Sequence, residues 1–98
     1  MGYNRVMRIG ELEKVYKAVS SRKRLEILKL LADGKERTVG DIATAIHLSF
    51  KSTSKHLVLL RQVGFLDRRQ FGYVGLYSLD DQLSALLNQL LRQIRQIN

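Results

Sequence analysis

Residues 38–57, TVGDIATAIHLSFKSTSKHL, read as two short helices joined by a tight turn. Thr38 precedes Asp41 by three residues, a Thr-x-x-acid variant of the capping box whose far member is ordinarily Glu or Gln. Val39, Ile42, Ala43 and Ile46 then recur at i, i+3, i+4 and i+7, which gives the first helix one apolar face. The pattern ends at His47, a residue type enriched among the few non-glycines that tolerate positive φ. Two residues later Ser49 is a capping residue for a second helix. Cap, helix, short turn and new cap are the parts of a helix-turn-helix, here residues 38–63.

The second helix sorts its side chains by the helical period. Ser49, Thr53, His56, Leu57 and Leu60 gather on one side, and Lys51, Lys55, Val58 and Gln62 on the other. Phe50, Ser52 and Ser54 flank the lysines near its N-terminal end, where a recognition helix in the major groove places its base-reading residues. Short donors beside long cations suit a polyanion with readable edges. Phe50 either touches a thymine methyl group or packs against the first helix of the motif. His56 lies on the inward side, a packing residue within reach of a phosphate.

Outward from this pair, Gly64 stops the helical pattern, and FLDRRQF and VGLYSL flank Gly72-Tyr73 as the two strands of a hairpin over residues 65–79. Arg68, Arg69 and Gln70 sit beside its tip. In a winged helix-turn-helix that tip lies against the phosphate backbone, where cations position the protein without reading sequence. Arg68 and Arg69 alternate across the strand, so one of the two faces the DNA.

On the N-terminal side, Ile9, Leu12, Val15, Tyr16 and Val19 mark one face of a helix that follows a loose arm, residues 1–8, carrying Arg5 and Arg8. Ser20 and Ser21 cap a further helix from Arg22 to Ala32, too rich in Leu and Ile for a narrow stripe and therefore largely buried. Gly34 closes it as a C′ residue, and Lys35, Glu36 and Arg37 make a polar connection to Thr38. At the other end, Leu83, Leu86, Leu87, Leu90, Leu91, Ile94 and Ile97 recur at three- and four-residue intervals after Asp80 and Asp81, acidic residues suited to a helix start. So large an aliphatic stripe exceeds what one small core needs, and dimerisation through helix 80–97 would cover it. Tyr3, Tyr16 and Tyr77 read as interface or core aromatics. The expected architecture is α+β and mostly α, a winged helix-turn-helix in the order α-α-α-α-β-β-α.

Composition narrows the function classes. The 98 residues suit one domain, with 45% hydrophobic and 27% charged residues arguing for a folded chain. A net charge of +8 predicts association with nucleic acid or an anionic surface. Residues 48–79 carry Lys51, Lys55, Arg61, Arg68 and Arg69 against Asp67, whereas residues 80–98 are neutral overall. Positive charge therefore accompanies the helix pair and hairpin, not the terminal helix. The absence of Cys excludes disulfides, thiolate metal sites and cysteine nucleophiles. No apolar run reaches a membrane span and MGYNRVMRIG lacks the core of a signal peptide, so a cytoplasmic protein is expected. No paired-carboxylate, Ser-His-Asp or phosphate-loop constellation supports an enzyme.

Three stretches together resemble the ArsR/SmtB family of winged-helix repressors: VSSRKRLEILKLL, LSFKSTSKHLVLLRQVGFL and RRQFGYVGLYSL. The likeness runs from about Leu12 to Leu90, with Arg22 where the family often has Pro. It implies a homodimeric, sequence-specific regulator of transcription, usually a repressor, that binds double-stranded DNA. The expected DNA contacts are Ser49, Phe50, Lys51, Ser52, Ser54, Lys55, His56, Arg61, Arg68, Arg69 and Tyr73. The expected dimer contacts are Leu12, Tyr16, Leu83, Leu86, Leu87, Leu90, Leu91 and Ile94. The alternative is an interaction module that presents the same basic face to RNA or a protein partner.

The departures from the family bear on regulation. Metal-sensing members carry Cys-x-Cys-Asp at the start of the third helix, where this chain has Thr38 and Gly40 ahead of Asp41. Other members hold zinc between terminal helices with an Asp and several His, but no His follows His56 here. Asp80 and Asp81 alone do not suit zinc, which prefers nitrogen and sulfur ligands. No metal and no cofactor are expected. Phe50 stands where the family often has Gln, and Tyr73 where its wing tip often has Arg. A hydroxyl there in place of a cation lowers the salt slope by about one for the phosphate it leaves unneutralised.

Overall fold

The computed structural model describes residues 6–98, and Tyr3 and Arg5 lie outside the described residues. Five helices and three strands follow in the order α1 (Ile9–Val19), α2 (Arg22–Leu31), β1 (Arg37–Thr38), α3 (Val39–Ile46), α4 (Phe50–Gln62), β2 (Leu66–Phe71), β3 (Val74–Leu79) and α5 (Ala85–Arg95). This is a winged helix-turn-helix: α3 and α4 are the helix pair and β2-β3 the wing.

Local chemistry sets the boundaries. Ser21, Thr38, Ser49 and Ser84 each cap a helix by accepting the backbone N–H three residues on. Arg8 stands at the N-cap of α1, its N–H donating to Glu11 Oε1 at 3.1 Å. The turn between α3 and α4 is closed by His47 at φ 56°, in the left-handed region, and by Leu48 N–H donating to Ala43 O at 3.0 Å. At the end of α4, Gly64 has φ +99°, and a Cβ there would stand 3.3 Å from Leu87 Cδ1. Both the backbone and the approach of α5 therefore call for glycine at this point.

The core lies where the helices meet the sheet. Val15 and Ala18 of α1, Ile27, Leu28 and Leu31 of α2, Ile42 and Ile46 of α3, and Leu57 and Leu60 of α4 close over Phe65, Leu66 and Tyr77. Burying each large aliphatic contributes about 1.5–3 kcal/mol. Thr53 is also fully buried, and its Oγ1 is the one buried side-chain polar atom among the described residues without a hydrogen-bond partner.

Four features differ from the sequence expectation. Arg37 and Thr38, expected as connection and cap, also form a strand, giving an antiparallel sheet in the order β1-β3-β2. A two-residue strand has too little alternation to show in a sequence. The helix α2 ends at Leu31, and Gly34, at φ +80°, lies beyond the C′ position. In α1 the inward residues are Val15 and Ala18, while Ile9, Leu12 and Tyr16 stay outside. The terminal helix begins at Ala85 instead of Asp80, because the Asp80 carboxylate accepts the Gln82 N–H at 2.7 Å in a turn and Ser84 is the cap.

The last difference changes the stripe on α5. Leu87, Leu91 and Ile94 are only 3%, 1% and 4% exposed within the single chain. Expected at a dimer interface, they fill the protomer's own core beside α2 and leave no surface for a second copy. Leu83, Leu86 and Leu90 are partly buried around them, and Ile97 is exposed.

Candidate nucleic-acid interface

Helix α4 is fixed on its inner side and open on its outer side. Thr53, Leu57 and Leu60 anchor it in the core. His56 Nδ1 stands 3.1 Å from Arg24 Nη1 of α2, and the same guanidinium donates through Nε to Ala18 O at 2.7 Å and through Nη2 to Lys17 O at 3.1 Å. One side chain thus caps the C-terminal carbonyls of α1 and braces α4. Partial burial and the Arg24 charge hold the His56 pKa below its ordinary value, so Nδ1 accepts from Arg24 at neutral pH. Lys23 similarly fastens α3 from α2, donating to Ile46 O at 2.6 Å.

On the outer side Phe50, Lys51, Ser54, Lys55 and Val58 line a shallow groove. Lys51, Lys55 and Arg61 are exposed, and among the described residues none of their side chains has a hydrogen-bond or ion-pair partner. Their charges face water. Ser49 Oγ accepts the Ser52 N–H at 3.1 Å as the helix cap, and Ser54 is the hydroxyl that lines the groove itself. Phe50 is 63% exposed and forms the ridge between this groove and a second one bounded by α3 and the turn. It is therefore not a core residue.

The wing is differently charged from what its arginine count suggests. The register places Arg68 opposite Tyr77 and Arg69 opposite Leu76. Arg68 lies 6.0 Å over the Tyr77 ring and donates to Gln70 Oε1 at 2.8 Å. Arg69 points to the other face and makes a two-pronged pair with Glu36, both N–O distances being 2.8 Å. That pair lowers the Glu36 pKa below the usual carboxylate value. In the sequence Glu36 is only part of a polar connection. Its role depends on β1 docking beside β3, which brings residues 33 positions apart together. Beyond these, Phe71, fully exposed Tyr73 and Val74 form an apolar tip. Arg24 is equally invisible as a brace, since its partners on α1 and α4 are joined only by the tertiary fold.

Among the described residues no three His, Cys, Asp or Glu side chains are grouped to hold a metal ion, and no helix is long and apolar enough to cross a membrane.

Residues 21–68 match the family model for "Bacterial regulatory protein, arsR family". The chain is similar to the cadmium resistance transcriptional regulatory protein CadC homolog of Staphylococcus aureus, 38% identical over 74% of this chain and 60% of that protein's length. It is 31% identical to the transcriptional activator HlyU of Vibrio cholerae over 94% of this chain and 92% of that one. Against the transcriptional repressor SdpR of Bacillus subtilis the identity is 35%, over 79% of this chain and 90% of the relative. Reduced HlyU superposes with a TM-score of 0.74 and 26% identity, covering 89% of this chain and 87% of that one. A homodimeric winged helix-turn-helix DNA-binding domain from Mycobacterium bovis gives 0.74 and 28%, covering 95% and 86%. With its helix pair and wing in family order and two relatives above 30% identity matched along about nine-tenths of their length, the chain belongs to the arsR family of bacterial regulatory proteins.

Proposed function

We propose that this protein is a cytoplasmic, homodimeric regulator of transcription that binds double-stranded DNA with α4 in the major groove and the wing along the flanking backbone. The observation that carries the reading is the outer face of α4, where Lys51 and Lys55 project without partners among the described residues beside Ser54 and Phe50. Exposed cations with no internal partner release counterions when they meet phosphates, which supplies affinity. The small polar and aromatic groups between them are placed to meet base edges. A dimer reads two half-sites about one helical turn apart. Leu12 and Tyr16 of α1, with Leu83 ahead of α5 and Leu86 and Leu90 on it, are the apolar residues we assign to its interface, the first two being exposed. Repression is the sign we assign, as in the name of SdpR, although HlyU is named an activator.

The test is selection of bound duplexes from a random pool at stated salt, followed by titration of the selected sequence against RNA and non-specific DNA. The expected result is one enriched two-fold sequence bound with a steep salt dependence. Failure to enrich any duplex, or binding that ignores salt, overturns the reading.

A further inference from the structure

Phe50 is the first residue of α4 and carries a large apolar ring on a surface it shares with Lys51, Ser54, Lys55 and Val58. With 63% of it exposed, the ring contributes little to the core. It stands as a ridge, with Lys51, Ser54, Lys55 and Val58 lining the groove on one side and Ala43, Thr44 and His47 on the other. Any duplex seated on the lysines meets this ridge at the N-terminal end of the helix, where base edges are approached most closely.

We propose that Phe50 selects thymine, its ring packing on the C5-methyl group of one T·A pair in each half-site; this rests on the DNA-binding reading of α4. The major-groove edges of the four bases offer hydrogen-bond donors and acceptors, and only thymine adds an apolar group. A phenyl ring has neither donor nor acceptor, so an edge presenting the cytosine amino group loses solvation against it without compensation. Lys51 and Lys55 cannot recognise a methyl group, because an ammonium only donates hydrogen bonds to acceptors. Their charges bring the duplex to the groove and hold it, and the exposed ring then meets the methyl group at close range.

Uracil differs from thymine only by that methyl group, which makes uracil substitution the test. Each thymine of the selected duplex is replaced in turn by deoxyuridine, symmetrically in both half-sites, and binding is measured with the unmodified protein and with Phe50→Ala. At one symmetric pair of positions the unmodified protein is expected to lose about fourfold per methyl group, the factor corresponding to one buried methyl. Phe50→Ala is expected to bind the thymine and uracil duplexes equally; lowering the salt keeps its weaker binding measurable. Equal affinity of the unmodified protein for every uracil duplex overturns the assignment of Phe50 while leaving DNA binding intact. Persistence of the uracil effect in Phe50→Ala does the same. Enrichment of no duplex at all overturns the DNA-binding reading, and the thymine assignment with it.

Discussion

Helices α4 and α5 are both anchored by aliphatic residues, yet what they leave outside differs in kind. On α4 the anchors are Leu57 and Leu60 with Thr53, and the exposed side presents Lys51 and Lys55 with no partner among the described residues. On α5 the anchors are Leu87, Leu91 and Ile94, and around them Leu83, Leu86 and Leu90 are left partly covered. A charged face gains by meeting another polyelectrolyte and weakens with salt. An apolar margin gains by exclusion of water and is almost indifferent to salt. In the proposed function the two helices accordingly meet different partners, DNA for one and a second copy of the chain for the other.

Substitutions at four places test that contrast. The largest effect is expected within α5 itself. Leu87→Glu puts a carboxylate into the core and removes more than about 4 kcal/mol, enough to abolish a cooperative thermal transition in a domain of this size. Leu90→Glu, one turn along and at the margin, is expected to leave the chain folded by circular dichroism while weakening the dimer at least about tenfold in sedimentation. If both variants remain folded dimers, the division of α5 into core and margin fails.

Next comes the outer face of α4. The double substitution Lys51→Ala with Lys55→Ala is expected to leave melting unchanged and to lower duplex affinity at least about tenfold, with the salt slope falling by about one for each phosphate no longer neutralised. Undiminished affinity would remove α4 from the interface.

A smaller effect of opposite sign is expected at the wing. Glu36→Gln releases Arg69 from its ion pair and should strengthen binding a few-fold, raising the salt slope by about one if Arg69 reaches a phosphate. A lower affinity would mean that the pair itself orients the wing.

The smallest effect concerns the inner side of α4. Because the folded-state pKa of His56 lies below the ordinary 6.5, the unfolded chain binds a proton more readily in the window just under that value. The stability from neutral His56 is thus complete above pH 6.5 and declines as the solution is acidified from 6.5 towards 5. His56→Gln, which retains an acceptor for Arg24, should flatten the melting temperature over that interval. An equal slope in both proteins would assign the pH dependence elsewhere.

The contrast between α4 and α5 also explains what a reader of the sequence can see. Lys51 and Lys55 have few places to go but outward, so the outer face of α4 follows from helical spacing alone. The caps Thr38 and Ser49 and the left-handed His47 are local, and they stand where their neighbours in the chain require. Leucine carries no such address. The C-terminal stripe fits a protomer's own core as well as a partner's, and the division among its aliphatic residues is decided by the approach of α5 to α2 and to Gly64. The start of α5 is obscured because Asp80 serves a turn as readily as a helix terminus. The wing's charge is hidden for a third reason. Glu36 and Arg69 find each other only after β1 has joined the sheet.

Arg24 has a geometric consequence of its own. Its planar fork meets two main-chain oxygens at the end of α1 and the imidazole of α4 at once, so the angle between those helices is referred to a single rigid plate. An ammonium on a flexible stem has no comparable fork. The tilt of α4 against α1 is thereby held much as a set-square holds an angle.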